Sequence, residues 1–184
     1  PSAGVEGREL PAPPEADELR NVMRAEINGP RGRLGVYTTH LNWRFDQSQV
    51  RQAQVRAIAQ FIDEHAHDDH PPILAGDLNV ARTDMDVHAK ERKPGVIGQR
   101  PDERALVEKL LSHGLVDVGR MVDPTNEGLF TYWAPWRNLR QRNIGWRIDY
   151  VLASAPLAAR ARRCTVLADF GTSDHAPVIA EFGG

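Results

Sequence analysis

The sequence contains a single cysteine, Cys164, among 184 residues, so no internal disulfide can form. No window approaches the roughly 18 consecutive apolar residues that a transmembrane helix needs. Positive charge is not in excess either, because 23 Lys and Arg stand against 25 Asp and Glu, for a formal net charge of -2. These features exclude a disulfide scaffold, a membrane span and a generally basic nucleic-acid coat protein, and they predict a reducing, cytoplasmic location. Any contact with nucleic acid must then use a local basic patch.

The composition is that of one ordinary globular domain, with 41% hydrophobic and 26% charged residues, and we predict a single domain over residues 1–184. Residues 1–20 are rich in Pro, Gly and Glu and lack the basic start and apolar stretch of a signal peptide. They are predicted to form a surface loop. Because strands follow this loop directly, we expect an N-terminal portion of the domain to be absent.

Hydrophobic periodicity predicts a strand-rich α+β sandwich. Two β-branched runs, 22–27 and 34–41, flank the turn sequence NGPRG and predict a hairpin. A helix is predicted from Ser48, with Ser48 or Asp46 as its N-cap, and a second from Pro101 to the stop at Gly114. Residues 80–99 read as a long irregular loop. The remaining predicted strands are 73–75, 130–133, 148–153, 164–167 and 178–182. The predicted apolar face of the first helix consists of Val50, Ala53, Ala57, Ile58, Phe61 and Ile62.

Polar clusters stand where several of these strands end. Each member alone has an ordinary structural explanation: Asp149 as a satisfied core carboxylate, Asn79 as a turn residue and His40 as a strand end. Together they offer hard oxygen ligands suited to Mg²⁺ or Mn²⁺, with histidine nearby and no cysteine cluster. Such a set suits phosphoester hydrolysis, because a carboxylate can align a water and a cation can neutralise phosphoryl charge. The clusters are His40 in TTHL, Asp77 and Asn79 in GDLN, Asp149 in RIDYVL, and Asp174 and His175 in SDHAP.

The segment TYWAPWRNLRQRNIGWR interleaves aromatic and basic residues. Aromatic rings can stack on nucleobases, and neighbouring guanidinium groups can pair with phosphates. The alternative is a partly solvated loop that carries core tryptophans. The residues concerned are Tyr132, Trp133, Trp136, Trp146, Arg137, Arg140, Arg142 and Arg147.

Three motifs in order, GDLNVARTDMD, FTYWAPWRNLRQRNIGWRIDYVLAS and SDHAPVIAEF, resemble the C-terminal half of the exodeoxyribonuclease III type of apurinic/apyrimidinic (AP) endonuclease. Upstream, VYTTHLNWRFDQSQVRQAQVRAIAQFI resembles the wider endonuclease/exonuclease/phosphatase superfamily, which includes pancreatic deoxyribonuclease and sphingomyelinase-like members. The resemblance spans roughly residues 22–182. It implies a four-layer αββα sandwich of the pancreatic deoxyribonuclease kind, incomplete at its N-terminus.

By this resemblance, Asp77 would orient or activate the attacking water, or protonate the leaving group, while Asn79 would hold the scissile phosphate. Asp149 would position the nucleotide and the groups around it. His175 would contact the phosphate and stabilise its developing charge. His40 matches the histidine of the superfamily THL motif, a position that exodeoxyribonuclease III relatives usually fill differently.

The same resemblance implies a Mg²⁺ (or Mn²⁺) ion held by Asp77, Asn79 and Asp174, with Asp174 either close to the metal or polarising His175. It also implies substrate contacts: Tyr132 and Trp133 would form the walls of a pocket for an extruded abasic deoxyribose, and Arg137 and Arg147 would add further contacts. One departure is clear. The family's N-terminal Asn, and the Glu that is its principal metal ligand, have no counterpart in this sequence.

The sequence therefore predicts a divalent-metal-dependent hydrolase that cleaves DNA at abasic sites or trims 3′ ends, with abasic or 3′-blocked duplex as its partner. A second interpretation, from the THL motif, is a general phosphodiesterase acting on non-specific DNA, a phospholipid head group or a small phosphate ester. The missing ligands support a third, a non-catalytic DNA-binding remnant. Oligomeric state is left open.

Overall fold

A six-stranded mixed sheet forms the centre of the computed structural model, which describes residues 2–13, 15, 18–30, 32–44, 47–65 and 71–183. Its strands lie in the order β1-β2-β3-β4-β6-β5, and only β3 and β4 run parallel. A second sheet pairs β7 with β8. The strands are β1 (Ser2–Glu9), β2 (Asn21–Gly29), β3 (Gly32–His40), β4 (Pro72–Asp77), β5 (Leu115–Asp117), β6 (Asp149–Ser154), β7 (Ala161–Val166) and β8 (Val178–Phe182).

Two long helices, α1 (Ser48–Glu64) and α2 (Pro101–Leu111), cover one face of the large sheet through a buried core that includes Tyr37, Ile58 and Leu152. The small sheet packs on the opposite face around Ile73 and Cys164. Short helices α3 (Val118–Val122) and α4 (Ala155–Ala158) contribute to this second core. The predicted α+β sandwich is thus present. Among the described residues, however, no helix layer covers the outer face of the small sheet, where Ile179 and Glu181 are exposed.

Helix α1 follows the predicted periodicity in part. Its predicted apolar residues Ile58, Phe61 and Ile62 are buried, whereas Val50, Ala53 and Ala57 are only half-buried. Polar residues on the same helix, Arg51 and Gln54, are instead fully buried, because they bond to the loop that follows β3.

The start of α1 also differs from the prediction. The N-cap position falls on Gln47, without a side-chain cap, and Ser48 is the first helical residue, whose hydroxyl donates to Asp102 at 2.6 Å. Asp46, the other predicted cap, lies outside the described residues. Helix α2 begins at Pro101 as predicted, and Gly114 follows its end with a φ of +80°.

Two predictions about strands are wrong. Residues 2–9, expected within a surface loop over 1–20, form edge strand β1, which pairs antiparallel with β2. Residues 130–133, expected as a strand, make isolated bridges through Tyr132, to Trp146 and to His175. The hairpin is confirmed, since β2 and β3 pair antiparallel. No described helix is long and apolar enough to cross a membrane.

The sheet brings three polar residues to one edge. In the parallel pair β3–β4, His40 lies beside Asp77, and in the antiparallel pair β4–β6, Asp77 lies opposite Asp149. Gly76 makes the close approach of β4 to β3 possible, because a Cβ at this position would collide with the backbone carbonyl of Thr39. A larger residue at position 76 would keep β4 from packing this closely against β3. The sequence Gly-Asp therefore places the carboxylate of Asp77 at the end of a tightly packed strand.

Candidate active site

Asp77 is the central side chain at this edge, and only 12% of it is exposed. The backbone N–H of Asn79 donates to Asp77 Oδ1 at 2.8 Å. Asn79 adopts a left-handed conformation, with φ of 53°, which asparagine tolerates better than most residues. Its side-chain Nδ2 donates to the carbonyl of Leu41 at 2.9 Å, so Asn79 ties the GDLN turn to the chain leaving β3.

Asp149 and His175 form a pair beside Asp77. The distance from His175 Nδ1 to Asp149 Oδ2 is 2.9 Å, and His175 Nε2 lies 3.9 Å from Asp77 Oδ2. His175 is brought there by a backbone bridge to Tyr132, whose ring centroid lies 4.9 Å from the imidazole. Thr131 Oγ1 accepts the backbone N–H of Asp149 at 3.1 Å, so the 130–132 segment supports both members of the pair.

His40 approaches Asp77 from the other side. Its Nε2 is 3.4 Å from Asp77 Oδ2, and its Nδ1 is 3.1 Å from the NH1 group of Arg20. Arg20 is held in turn by Glu18, with NH2 donating to Oε2 at 2.6 Å. Asp77 therefore lies between two histidines. Nδ1 of His175 faces the carboxylate of Asp149, whereas Nδ1 of His40 faces the guanidinium group of Arg20.

Burial raises the pKa of Asp77 to about 7, and the neighbouring charge of Asp149 adds to this effect. Burial also lowers the pKa of His40, and Arg20 acts in the same direction. Burial alone would lower the pKa of His175, but the hydrogen bond and charge of Asp149 outweigh it, and the pKa is raised. The site thus holds a carboxyl group that changes charge near neutral pH beside a histidine that favours its cationic form.

Asp77, Asp149 and His175 can each turn one ligand atom toward a common point, and these atoms lie within 4.8 Å of one another. Two carboxylates and an imidazole fit a divalent cation, whose remaining positions water or substrate oxygens can fill. Of the predicted metal ligands, only Asp77 belongs to this group. Asp174 is exposed and accepts from the Ser173 hydroxyl at 3.4 Å. Asp149 and His175 are predicted as catalytic residues; the β4–β6 register adds Asp149 to the donor set, and the backbone bridge to Tyr132 adds His175.

Two of the residues predicted to contact substrate are buried. Trp133 is 2% exposed within a core cluster, and its indole Nε1 donates to Asn143 at 3.1 Å. Arg147 is 3% exposed and donates from Nε to Asp86 at 2.7 Å and from NH1 and NH2 to Asp117 at 2.9 and 2.7 Å. Both side chains are largely held by internal partners, and Trp133 also lines one wall of the cleft described below.

The other two predicted contacts do reach the surface. Tyr132 is half-buried against His175, and Arg137 is exposed next to Trp136, which is 59% exposed. Arg137 and Trp136 line a cleft of about 400 Å³ between residues 133–141 and 171–174. The cleft runs up to Asp174, so it adjoins the segment that carries His175.

Sequence reasoning did not assign a role to Arg20, and it placed Arg140 among the arginines that can pair with phosphates. Arg140 donates from Nε to the carbonyl of Ala168 at 2.6 Å, from NH2 to that of Phe170 at 3.1 Å, and from NH1 to that of Ser173. It therefore holds the irregular segment that leads to His175. The interleaved arginines of the segment marked it as basic, but only the tertiary contacts distinguish a structural arginine from an exposed one.

A mixed sheet with helices on one face, which carries two carboxylates and a histidine able to hold a divalent cation, matches the pancreatic deoxyribonuclease fold. The chain belongs to the Endonuclease/Exonuclease/phosphatase family, whose model matches residues 12–175. This confirms the predicted family and fold. Members of the family depend on divalent metal.

Similar proteins include the Exodeoxyribonuclease of Bacillus subtilis (strain 168), 34% identical over 161 residues, which are 88% of this chain and 60% of that protein. The chain thus spans less than two thirds of that relative. Among solved structures, the chain is similar to the 3′ phosphatase NExo from Neisseria, which was solved bound to product DNA hairpin. This match has a TM-score of 0.85 and 27% sequence identity, and it covers 100% of this chain and 72% of the NExo chain. An AP endonuclease from Archaeoglobus fulgidus matches with TM-score 0.76 and 27% identity, covering 88% of this chain and 64% of its own.

Proposed function

We propose that this chain carries the active site of a divalent-metal-dependent hydrolase that cleaves phosphoester bonds in DNA, at abasic sites and at 3′ ends. The observation that carries the proposal is the group formed by Asp77, Asp149 and His175, with ligand atoms within 4.8 Å of one another at the end of β4. The relatives support the choice of DNA, because they are named exodeoxyribonuclease and AP endonuclease, and one was solved with a DNA hairpin.

Asp77 and Asp149 would hold a Mg²⁺ or Mn²⁺ ion, which would supply neutralisation of charge on the phosphoryl oxygens, and His175 would act beside the ion rather than as its ligand. Without a cation, burial raises the pKa of Asp77 to about 7, so binding of the cation would release a proton near neutral pH and leave a carboxylate that can orient the attacking water. His175 keeps its Nε2 directed into the site while Nδ1 bonds to Asp149, so its cationic form can donate to a phosphate oxygen as negative charge develops there. In this proposal Asn79 holds the turn that carries Asp77.

We place the DNA along the cleft that adjoins His175. Trp136 and Arg137 offer an exposed ring and a cation at its rim, a combination that suits a base and a phosphate. Tyr132, packed on His175, is the candidate for contact with an extruded sugar. A single domain over residues 1–184 and a cytoplasmic location remain part of the proposal, and the one free cysteine, Cys164, which is buried, agrees with a reducing compartment.

The test is cleavage by the 184-residue chain of a duplex with one abasic-site analogue, and of a hairpin ending in a 3′-phosphate, with Mg²⁺, Mn²⁺ or EDTA. Asp77→Asn should lower the rate by about a hundredfold or more, as expected for loss of the carboxylate that binds the cation and orients the water. Asp63→Asn is the matched control, because Asp63 is an exposed carboxylate paired with His113 at 2.9 Å. Turnover that survives EDTA, or a folded chain that binds these DNAs without cutting them, would refute the proposal.

A general phosphodiesterase is the second candidate, favoured by the position of His40 at 3.4 Å from Asp77. It predicts hydrolysis of a small phosphodiester such as bis-p-nitrophenyl phosphate at a rate that Trp136→Ala leaves unchanged. The DNA-specific proposal predicts the opposite, a strong preference for abasic duplex that Trp136→Ala weakens. Relative rates on the two substrates therefore separate the candidates.

A further inference from the structure

We propose that Arg20 is a positioning residue that fixes His40 as the tautomer protonated on Nε2, so that His40 presents a neutral N–H to Asp77. The catalytic consequence rests on the proposed function above, but the tautomer itself does not. Arg20 has no place in the motifs that identify the family in this sequence, and it lies outside the group of candidate metal ligands.

The argument begins with hydrogen-bond roles. A guanidinium group donates only and has no acceptor atom. Since NH1 of Arg20 lies 3.1 Å from His40 Nδ1, that ring nitrogen must supply the lone pair. A neutral imidazole carries one proton, which must then be on Nε2. The Nε2 atom faces Asp77 Oδ2 at 3.4 Å, where an N–H is the complementary group.

Arg20 is fixed well enough to impose this choice. Its NH2 group donates to Glu18 Oε2 at 2.6 Å, and its side chain is 14% exposed. Its backbone carbonyl accepts the N–H of Leu10 at 2.8 Å, which ties residue 20 to the chain that leaves β1. The backbone of Arg20 is therefore anchored to the chain after β1, and Glu18 holds its guanidinium group before that group meets His40.

The second histidine shows the contrast. Nδ1 of His175 faces a carboxylate, Asp149, at 2.9 Å and must donate to it. Both histidines direct Nε2 toward Asp77, at 3.4 and 3.9 Å, but with opposite roles at Nδ1. The Asp149 partner stabilises a cation on His175, whereas the Arg20 partner excludes one on His40. One face of Asp77 thus meets a group able to carry positive charge, and the other meets a neutral donor.

Imidazole ¹H–¹⁵N spectra of the ¹⁵N-labelled chain test the tautomer directly, without metal or substrate. His40→Gln identifies the His40 signals. We expect an Nε2-protonated, Nδ1-unprotonated ring in the wild type, mixed tautomers in Arg20→Met, and recovery in Arg20→Lys, which restores a donor. Arg8→Met is the control, because Arg8 forms a separate surface ion pair with Glu64. A wild-type His40 protonated on Nδ1, or an Arg20→Met spectrum identical to wild type, would overturn the proposal, and the wild-type spectrum decides even if a variant does not fold.

Kinetics on abasic duplex test the consequence. Arg20→Met should lower kcat by about tenfold or more with little change in KM, because it misaligns a group near the reacting centre rather than removing a phosphate contact. It should have no further effect in a His40→Gln background. A raised KM with unchanged kcat would show instead that Arg20 binds substrate, which would overturn the positioning role. If the chain cleaves no DNA, the proposed function fails while the spectra still report on Arg20.

Discussion

Replacing Arg147 by methionine should destabilise the fold rather than weaken substrate binding. Arg147 joins Asp86, which is fully buried, to Asp117, which is 4% exposed. Without Arg147, Asp86 keeps the guanidinium of Arg120 at 2.6 Å. Asp117 keeps only the backbone N–H of Arg120 at 3.2 Å and a distant contact from Arg82 at 3.8 Å. The substitution therefore leaves one buried carboxylate without its main partner.

Breaking a buried ion pair by removing one partner costs about 3–5 kcal/mol, and the remaining contacts place this case near the lower end. Whole domains of this size are stable by about 5–15 kcal/mol. With a urea dependence of about 2 kcal/mol per molar, a loss of about 3 kcal/mol moves the unfolding midpoint down by about 1.5 M. The magnitude is large enough to separate clearly from the effect of a surface substitution.

Urea unfolding followed by circular dichroism, in EDTA at pH 7.5, is the assay. Arg142→Met is the matched control, since Arg142 is exposed on the same segment and its change should stay within about 0.5 kcal/mol.

The effect should also depend on pH. Burial alone would raise the pKa of Asp86, but Arg147 and Arg120 outweigh it and lower the pKa below its usual 3.8. The part of the stability that Arg147 supplies through Asp86 is present above pH 3.8 and lost as pH falls through the folded-state pKa, so the difference between the two variants should narrow in acid. An Arg147→Met protein with a wild-type unfolding midpoint but weaker DNA binding would refute the reasoning and would support Arg147 as a residue that contacts substrate.

Two further predictions concern the site and the cleft. Because the pKa of Asp77 is about 7 in the folded state, above 3.8, the stability that comes from its protonated form is complete below pH 3.8 and lost by about pH 7. In EDTA, the free energy of unfolding of Asp77→Asn, relative to that of wild type, should therefore rise by up to about 4 kcal/mol from pH 4 to pH 8. The same difference in thermal midpoint at both pH values would contradict this prediction. Trp133→Ala should lose about 3–5 kcal/mol because the ring is buried, whereas Trp136→Ala should keep its midpoint and lose DNA affinity, as unfolding and fluorescence titration can establish.

Strong periodicity is the part of the fold that the sequence predicts well. The apolar spacing of α1 and the proline at the start of α2 mark those helices, and the β-branched runs mark β2 and β3. Strand β1 escapes prediction because SAGVEGRE has no regular apolar alternation, and it joins the sheet through backbone pairing at an edge. Residues 130–133 have strand-like composition, but Phe130 and Trp133 fill a local core instead of a ladder.

The candidate site is predictable where a polar residue ends a strand, which is how Asp77 and His40 were found. Contacts between distant positions are not. Arg147 and Arg137 look alike in the sequence. Arg147, however, forms hydrogen bonds to carboxylates 30 and 61 residues away, whereas no described contact joins Arg137 to a buried carboxylate. Arg20 lies 20 residues from His40 and meets it only because β2 and β3 pair.

Arginine is the residue that makes these long-range contacts, and the composition favours it. Of the 23 basic residues, all are arginine except Lys90, Lys93 and Lys109. Irregular segments around the site leave carbonyls without a ladder partner, and a planar guanidinium with five N–H groups can meet several at once. Arg51 donates to the carbonyls of residues 42 and 44 after β3, and Arg140 to those of 168, 170 and 173 before His175. A lysine offers a point charge without this fixed fork of donors. The site residues lie at strand ends and on irregular segments, and arginine side chains supply the rigidity that regular structure does not.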